Sequence, residues 1–325
     1  MIRELNVLSS KYTSANIIAL FRHASMSSSY KPALLLAIVR CVRAEKSSGD
    51  RIELADLAAQ YLALYWTQVV VFRLRHSPRD AAQPLIVQLI RGAADRHGTR
   101  KLADLPSYAR ETLIREIESV LPINVLAAFH RSRPAGLPLL FTWKKKQANI
   151  ELASGAKTYI TESATELIVI ATYFWARYLS SLNATPHIVE KLEPLRSNRS
   201  SLVKYSRVLM GFGECECFYC GVTLSASNIS PSVDHFIPWT FVYEDRLWNL
   251  VLSCNRCNAS KSDGLPTEEL LERLIHLNNI RASLTLAKPA SFIVTERAHS
   301  DLIHLYRMAQ DEGWPHWRRV QGISS

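Results

Sequence analysis

Apolar residues recur at three- and four-residue intervals through most of the first 135 positions, the spacing of one buried helix face. In "SSSYKPALLLAIVRCVRAEKS" (27–47) the serines offer caps and Pro32 falls in the first turn, so a helix starts there. "DRIELADLAAQYLALYWTQVVVF" (50–72) predicts another helix. "RDAAQPLIVQLIRGAADRHG" (79–98) and "PSYARETLIREIESVL" (106–121) continue the pattern, with Gly98 and Pro122 as stops. The texture changes over 137–162. "LPLLFTW", "ANIEL" and "KTYITES" are short, β-prone and separated by Lys or Gly, which predicts a small sheet or hairpin. A helix follows over 163–183.

The most apolar run, "LIVIATYFWA" (167–176), is ten residues long, and a bilayer span needs about 20. The amino terminus carries no long apolar core of the signal-peptide kind. The expectation is a soluble, cytoplasmic protein with no membrane partner. The polar, Ser-rich stretch "KLEPLRSNRSSLVKYSRVLMGFGEC" (191–215) marks a boundary. The expected division is a mainly helical domain at 1–205, a second module at 206–285 and a helical C-terminal extension at 286–325. The fold class expected is α+β.

Charge sharpens this division. Residues 1–205 hold 28 Lys+Arg against 16 Asp+Glu, a net +12. Residues 206–285 hold 6 against 9, a net −3, and residues 286–325 are +1. A basic first segment suits a polyanion, most often nucleic acid. Basic clusters recur there at 72–79, 96–101, 130–134 and 143–147, some beside aromatic residues.

Five of the six cysteines fall within 43 residues. Such clustering in a chain without an export signal favours metal over disulfides. Cys217 and Cys220 form one Cys-x2-Cys pair, Cys254 and Cys257 another. Four soft thiolates suit a tetrahedral structural zinc, a closed site that performs no chemistry. Cys215 offers an alternative ligand. Cys217 is preferred because its spacing matches the second pair and Gly221 follows to close the knuckle.

Chemistry must come from between the pairs, where the chain reads "VDHFIPW", "LWNLVLSC" and "CNASK". Cys217, Cys220, Asp234, His235, Pro238, Asn249, Leu250, Cys254, Cys257, Asn258 and Lys261 together resemble the zinc-bearing HNH (ββα-metal) nucleases. Asn258 stands where many members carry histidine, and asparagine is a common variant there. The resemblance implies a hairpin and helix, with Asp234 and His235 at the end of the first strand and Asn249 pinning the histidine loop.

The residue types agree with that chemistry. Phosphodiester hydrolysis needs an activated water and charge neutralisation at the phosphate. His235 suits a general base near neutral pH. Asp234 and Asn258 offer hard oxygen donors for Mg2+ or Mn2+. Neighbours on a flat strand face opposite ways, so Asp234 and His235 share a site only if the backbone there departs from one. Lys261 and Arg256 are candidates for phosphate contact, and a solvated Lys261 stands as the alternative.

The expected activity is metal-dependent hydrolysis of DNA, leaving 5′-phosphate and 3′-hydroxyl ends by resemblance. The competing readings are an RNA-cleaving HNH nuclease and a non-catalytic zinc-stabilised DNA-binding protein. "YKPALLLAIVR" and "FWARYLSSLNATPHIVEKL" resemble segments upstream of HNH modules in bacterial restriction- or defence-like proteins. That similarity implies a targeting or regulatory domain. An activating partner protein and a homo-oligomer both stay open.

Overall fold

The computed structural model describes residues 12–23, 29–78, 83–131, 135–144, 146–192, 201–224, 231–284 and 296–318. The expected caps Ser27 and Ser28, part of the basic clusters at 72–79, 130–134 and 143–147, and linker residues 193–200 lie outside these. The chain divides into two compact units. One takes Met1–Asn183 with Ile188–Glu193, and the other takes Ala184–His187 with Pro194–Ser325.

The first unit is mostly helical. Its elements are α1 (Ser14–His23), α2 (Tyr30–Arg43), β1 (Arg51–Glu53), α3 (Leu54–Trp66), α4 (Leu85–His97), α5 (Ser107–Val120), α6 (Ala127–Arg131), β2 (Phe141–Thr142), β3 (Asn149–Leu152), α7 (Ala156–Glu162), α8 (Ala164–Ser180) and α9 (Ile188–Leu192). Helix α2 is apolar almost all round, from Ala33 through Val39, so it is buried on every side and packs against α3 and α8. The sheet is antiparallel in the order β1-β3-β2, with Ile52 opposite Ile150 and Phe141 opposite Leu152.

Three local expectations change. "KTYITES" is helical as α7, with Tyr159 and Ile160 buried on its inner face, where β-propensity yields to packing. The third strand comes instead from β1, three residues directly before α3, too short to break the apparent helix pattern. Pro122 coincides with the end of α5 at Val120, yet the chain stays helical beyond it. A π-helical turn, Leu121–Leu126, absorbs the lost donor and carries the chain into α6. Gly98 does end α4, in the left-handed conformation at φ +56°.

The second unit contains α10 (Val203–Met210), β4 (Ser232–His235), α11 (Trp239–Val242), β5 (Leu250–Ser253), α12 (Asn255–Lys261), α13 (Glu268–Leu284) and α14 (Glu296–Asp311). Strands β4 and β5 form an antiparallel hairpin with Asp234 opposite Val251 and His235 opposite Leu250. One buried cluster joins Tyr205 and Leu209 of α10, both strands, and Ala298, Leu302 and Tyr306 of α14. Described residues between 298 and 317 therefore share the core of the hairpin, and Tyr205 belongs with that core.

After α14 the chain returns to α12. Leu265 N–H donates to Pro315 C=O and Trp317 N–H donates to Leu265 C=O, each at 2.8 Å. A Cβ on Gly264 would lie 2.5 Å from the Trp317 Cβ, so only glycine lets the two segments approach this closely. Among the described residues, no helix is long and apolar enough to cross a membrane.

Candidate functional site

The four cysteines meet in the second unit. Cys217, Cys220, Cys254 and Cys257 place their sulfur atoms within 4.8 Å of one another, with Cys220 and Cys254 at 3.8 Å. Zinc–thiolate bonds of about 2.3 Å in a tetrahedron put sulfurs about 3.8 Å apart, so the set fits one Zn2+. The backbone prepares each half. Gly221 takes φ +75° and donates to Cys217 C=O at 2.8 Å, closing the first knuckle. Cys254 caps α12, its sulfur accepting from Cys257 N–H at 3.4 Å. Burial pushes the Cys217 and Cys257 thiols up, and a bound cation would favour their thiolate forms. Cys215 is exposed and outside the cluster.

The knuckle reaches directly toward the hairpin. Phe218 N–H bonds Leu252 C=O of β5 at 2.8 Å. Tyr219, between the paired cysteines, donates its hydroxyl to Asp234 Oδ2 at 2.7 Å. Burial and the adjacent Asp234 carboxylate hold the Tyr219 phenol well above its usual range, so it keeps that proton. Lys261, at the end of α12, places Nζ 3.0 Å from the same oxygen and 2.7 Å from His235 C=O.

Lys261 departs from both expectations for it. Its side chain is 0% exposed, so it is neither solvated nor turned toward a phosphate. Its charge neutralises Asp234 and ties α12 to β4. Arg256, by contrast, is exposed on the first turn of α12.

His235 is buried, and its Nε2 lies 2.8 Å from Asp245 Oδ1. Asn249 grips the segment just past His235: Ile237 N–H donates to its Oδ1 at 2.8 Å, and its Nδ2 donates to Ile237 C=O at 3.0 Å. Phe236 N–H adds a bond to Asn249 C=O at 2.8 Å. Asn258 is half-buried and lies one helical turn before Lys261, so it shares the face of α12 that meets Asp234. Among the described residues, neither the Asn258 side chain nor Asp234 Oδ1 has a hydrogen-bond partner. Both side chains offer oxygen, the donor type that a hard divalent cation takes.

Several supporting residues were not anticipated. Arg281 of α13 is fully buried and forks onto Glu214 at 2.7 and 2.9 Å. It also donates to Leu247 C=O at 3.3 Å, Leu250 C=O at 3.0 Å and Asn278 Oδ1 at 3.0 Å, while Asn278 donates to Trp248 C=O at 2.8 Å. Helix α13 thereby fixes the turn that carries Asn249. An Arg–Asn pair at i and i+3 reads as a solvated helix face in sequence, which hides this role. Asp245 and Tyr219 gave no signal beyond lying near the motif.

A two-stranded hairpin followed by a short helix, stapled by four cysteines and carrying Asp-His on its first strand, defines a ββα-metal module. Residues 217–267 match the family model for HNH endonuclease, and this region is an HNH domain. No curated protein and no solved structure matches the chain.

Proposed function

We propose that the protein is a metal-dependent endonuclease that hydrolyses DNA phosphodiester bonds, with His235 as general base. The observation that carries this reading is the HNH hairpin and helix, whose adjoining elements carry Asp234, His235 and Asn258. A zinc-stabilised module that only bound DNA would need none of the three. Asp234 and Asn258 would hold Mg2+ or Mn2+, which when bound supplies positive charge at the phosphate and the departing oxygen. The zinc site is closed and holds the knuckle that supports Asp234 through Tyr219.

His235 accepts a proton from the attacking water. Asn249 fixes the backbone beyond it, and Lys261 fixes its carbonyl. The second module is net −3 and poorly suited to grip a polyanion alone. The first 205 residues, at +12, supply the affinity, and the exposed Arg96, Arg100 and Lys101 are part of that basic surface. The resemblance of 30–40 and 174–192 to segments of bacterial restriction- or defence-like proteins supports a role in restriction or phage defence and defines no substrate.

The test is incubation of the purified chain and its His235→Ala variant with plasmid, single-stranded DNA and RNA, each with Mg2+ or Mn2+. Wild-type cleavage of DNA, lost in the variant, is expected. A variant keeping more than about a tenth of the rate would remove the base role, which is worth roughly 10²–10⁴-fold. Preferential cleavage of RNA would replace DNA as the substrate, and no cleavage at all would favour the binding module.

A further inference from the structure

Resting on that nuclease reading, we propose that Asp245 is a positioning residue for His235: it takes the ring Nε2–H and leaves Nδ1 as the nitrogen that accepts the proton of water. The 2.8 Å contact joins two shielded groups, the His235 side chain at 5% exposure and Asp245 at 18%. A carboxylate can only accept, so a ring nitrogen facing it at this distance must carry hydrogen. One tautomer is thereby selected, and the lone pair is placed on the other nitrogen. Sequence gives no hint of the pair, because ten residues and a helix separate its members.

The loop that presents Asp245 is held on both sides. Tyr243 ends α11 in the left-handed region at φ +56°, a conformation rarely adopted outside glycine and asparagine, and this turns the chain back toward β4. Its ring packs on Trp239 with centroids 4.5 Å apart. Tyr205 of α10 donates its hydroxyl to Asp245 C=O at 3.1 Å. Asn249 N–H bonds Arg246 C=O at 2.9 Å, which couples the Asp245 loop to the asparagine that grips the chain after His235. One short loop therefore fixes the backbone past the histidine and also the orientation of its ring. In the step this supports, a water proton moves to Nδ1 as the water oxygen bonds phosphorus. The phosphorus–O3′ bond breaks, and the O3′ leaving group takes a proton from solvent.

The experiment compares wild type with Asp245→Ala and Asp245→Asn, all zinc-loaded and full length. The asparagine variant keeps the shape, but its amide can donate as well as accept, so it no longer enforces one tautomer. Long-range 1H–15N spectra, with the His235 signals assigned by their absence in His235→Ala, report the ring tautomer without any cleavage. The wild type should show protonated Nε2 and bare Nδ1, and both variants a mixture. Single-turnover cleavage at saturating protein should fall roughly 10- to 100-fold, a part of the general-base effect. The half-saturating protein concentration should stay within about twofold, because Asp245 touches no phosphate in this scheme. Zinc content and melting temperature, expected to be unchanged, separate orientation from folding. A wild-type ring protonated on Nδ1, or wild-type rates in either variant, overturns the proposal. If the wild type cleaves no nucleic acid, the nuclease reading falls, and the spectra alone still decide whether Asp245 sets the ring.

Discussion

Replacing Lys261 by methionine tests whether this lysine serves the fold or the substrate. The side chain is fully buried, and its ammonium bridges Asp234 Oδ2 at 3.0 Å and His235 C=O at 2.7 Å. Methionine fills the same volume and removes the charge. In buffer without divalent ions, Asp234, 9% exposed at its side chain, then keeps the Tyr219 hydroxyl but loses the ammonium, and the His235 carbonyl loses a donor. Removing one partner of a buried ion pair costs about 3–5 kcal/mol. Since about 1.4 kcal/mol is a factor of ten, protected amides of β4 and β5 should exchange hydrogen two to more than three orders of magnitude faster. Phe236 N–H and Ile237 N–H, bonded to Asn249, are the reporters. Adding Asp234→Asn should recover most of the loss, because a neutral amide needs no counter-charge. Exchange within about threefold of wild type in Lys261→Met would refute the reasoning. A drop in DNA affinity with a shallower salt slope and intact stability would restore the lysine to the phosphate.

The zinc site should bind one metal per chain. Cys254→Ser should lose it and destabilise the second unit, whereas Cys215→Ser should retain it; elemental analysis of both variants decides. Burial of His76, with nearby Arg91 adding to the effect, pushes its pKa down to about 3 from 6.5, while its Nδ1 sits 2.7 Å from Ser29 Oγ. The unfolded chain takes up the proton first as pH falls, so stability is full above 6.5 and declines below it. Between pH 7.5 and 5 the first unit should lose about 2 kcal/mol, a slope absent in His76→Asn, as read from hydrogen exchange of α2 and α3 at both pH values. A flat wild-type profile would show that His76 is already reachable by protons in the fold.

The chain alone marked the four cysteines that meet in the fold, because knuckle spacing carries its meaning locally, and residue type singled out Asp234, His235 and Asn258 as candidates for the chemistry. Helical periodicity likewise marked α2, α4, α5 and α8, whose apolar faces are written at fixed intervals. The hairpin and short helix followed from the same motif. What tertiary structure decided is where long side chains end. Lys261 looks like any exposed lysine in "CNASK", yet it is turned inward because α12 crosses the end of β4 beside a carboxylate. Arg281 and Asn278 read as a polar helix face, yet they satisfy the carbonyls of a buried turn that no local rule announces. The sheet of the first unit takes β1 from 51–53 and refuses 157–163, since pairing depends on which distant strand arrives alongside. The partnership of His235 with Asp245 belongs to this second kind. A hydrogen bond 2.8 Å long needs two groups in one place, and only the folded loop, anchored by Tyr205 and turned at Tyr243, brings them there.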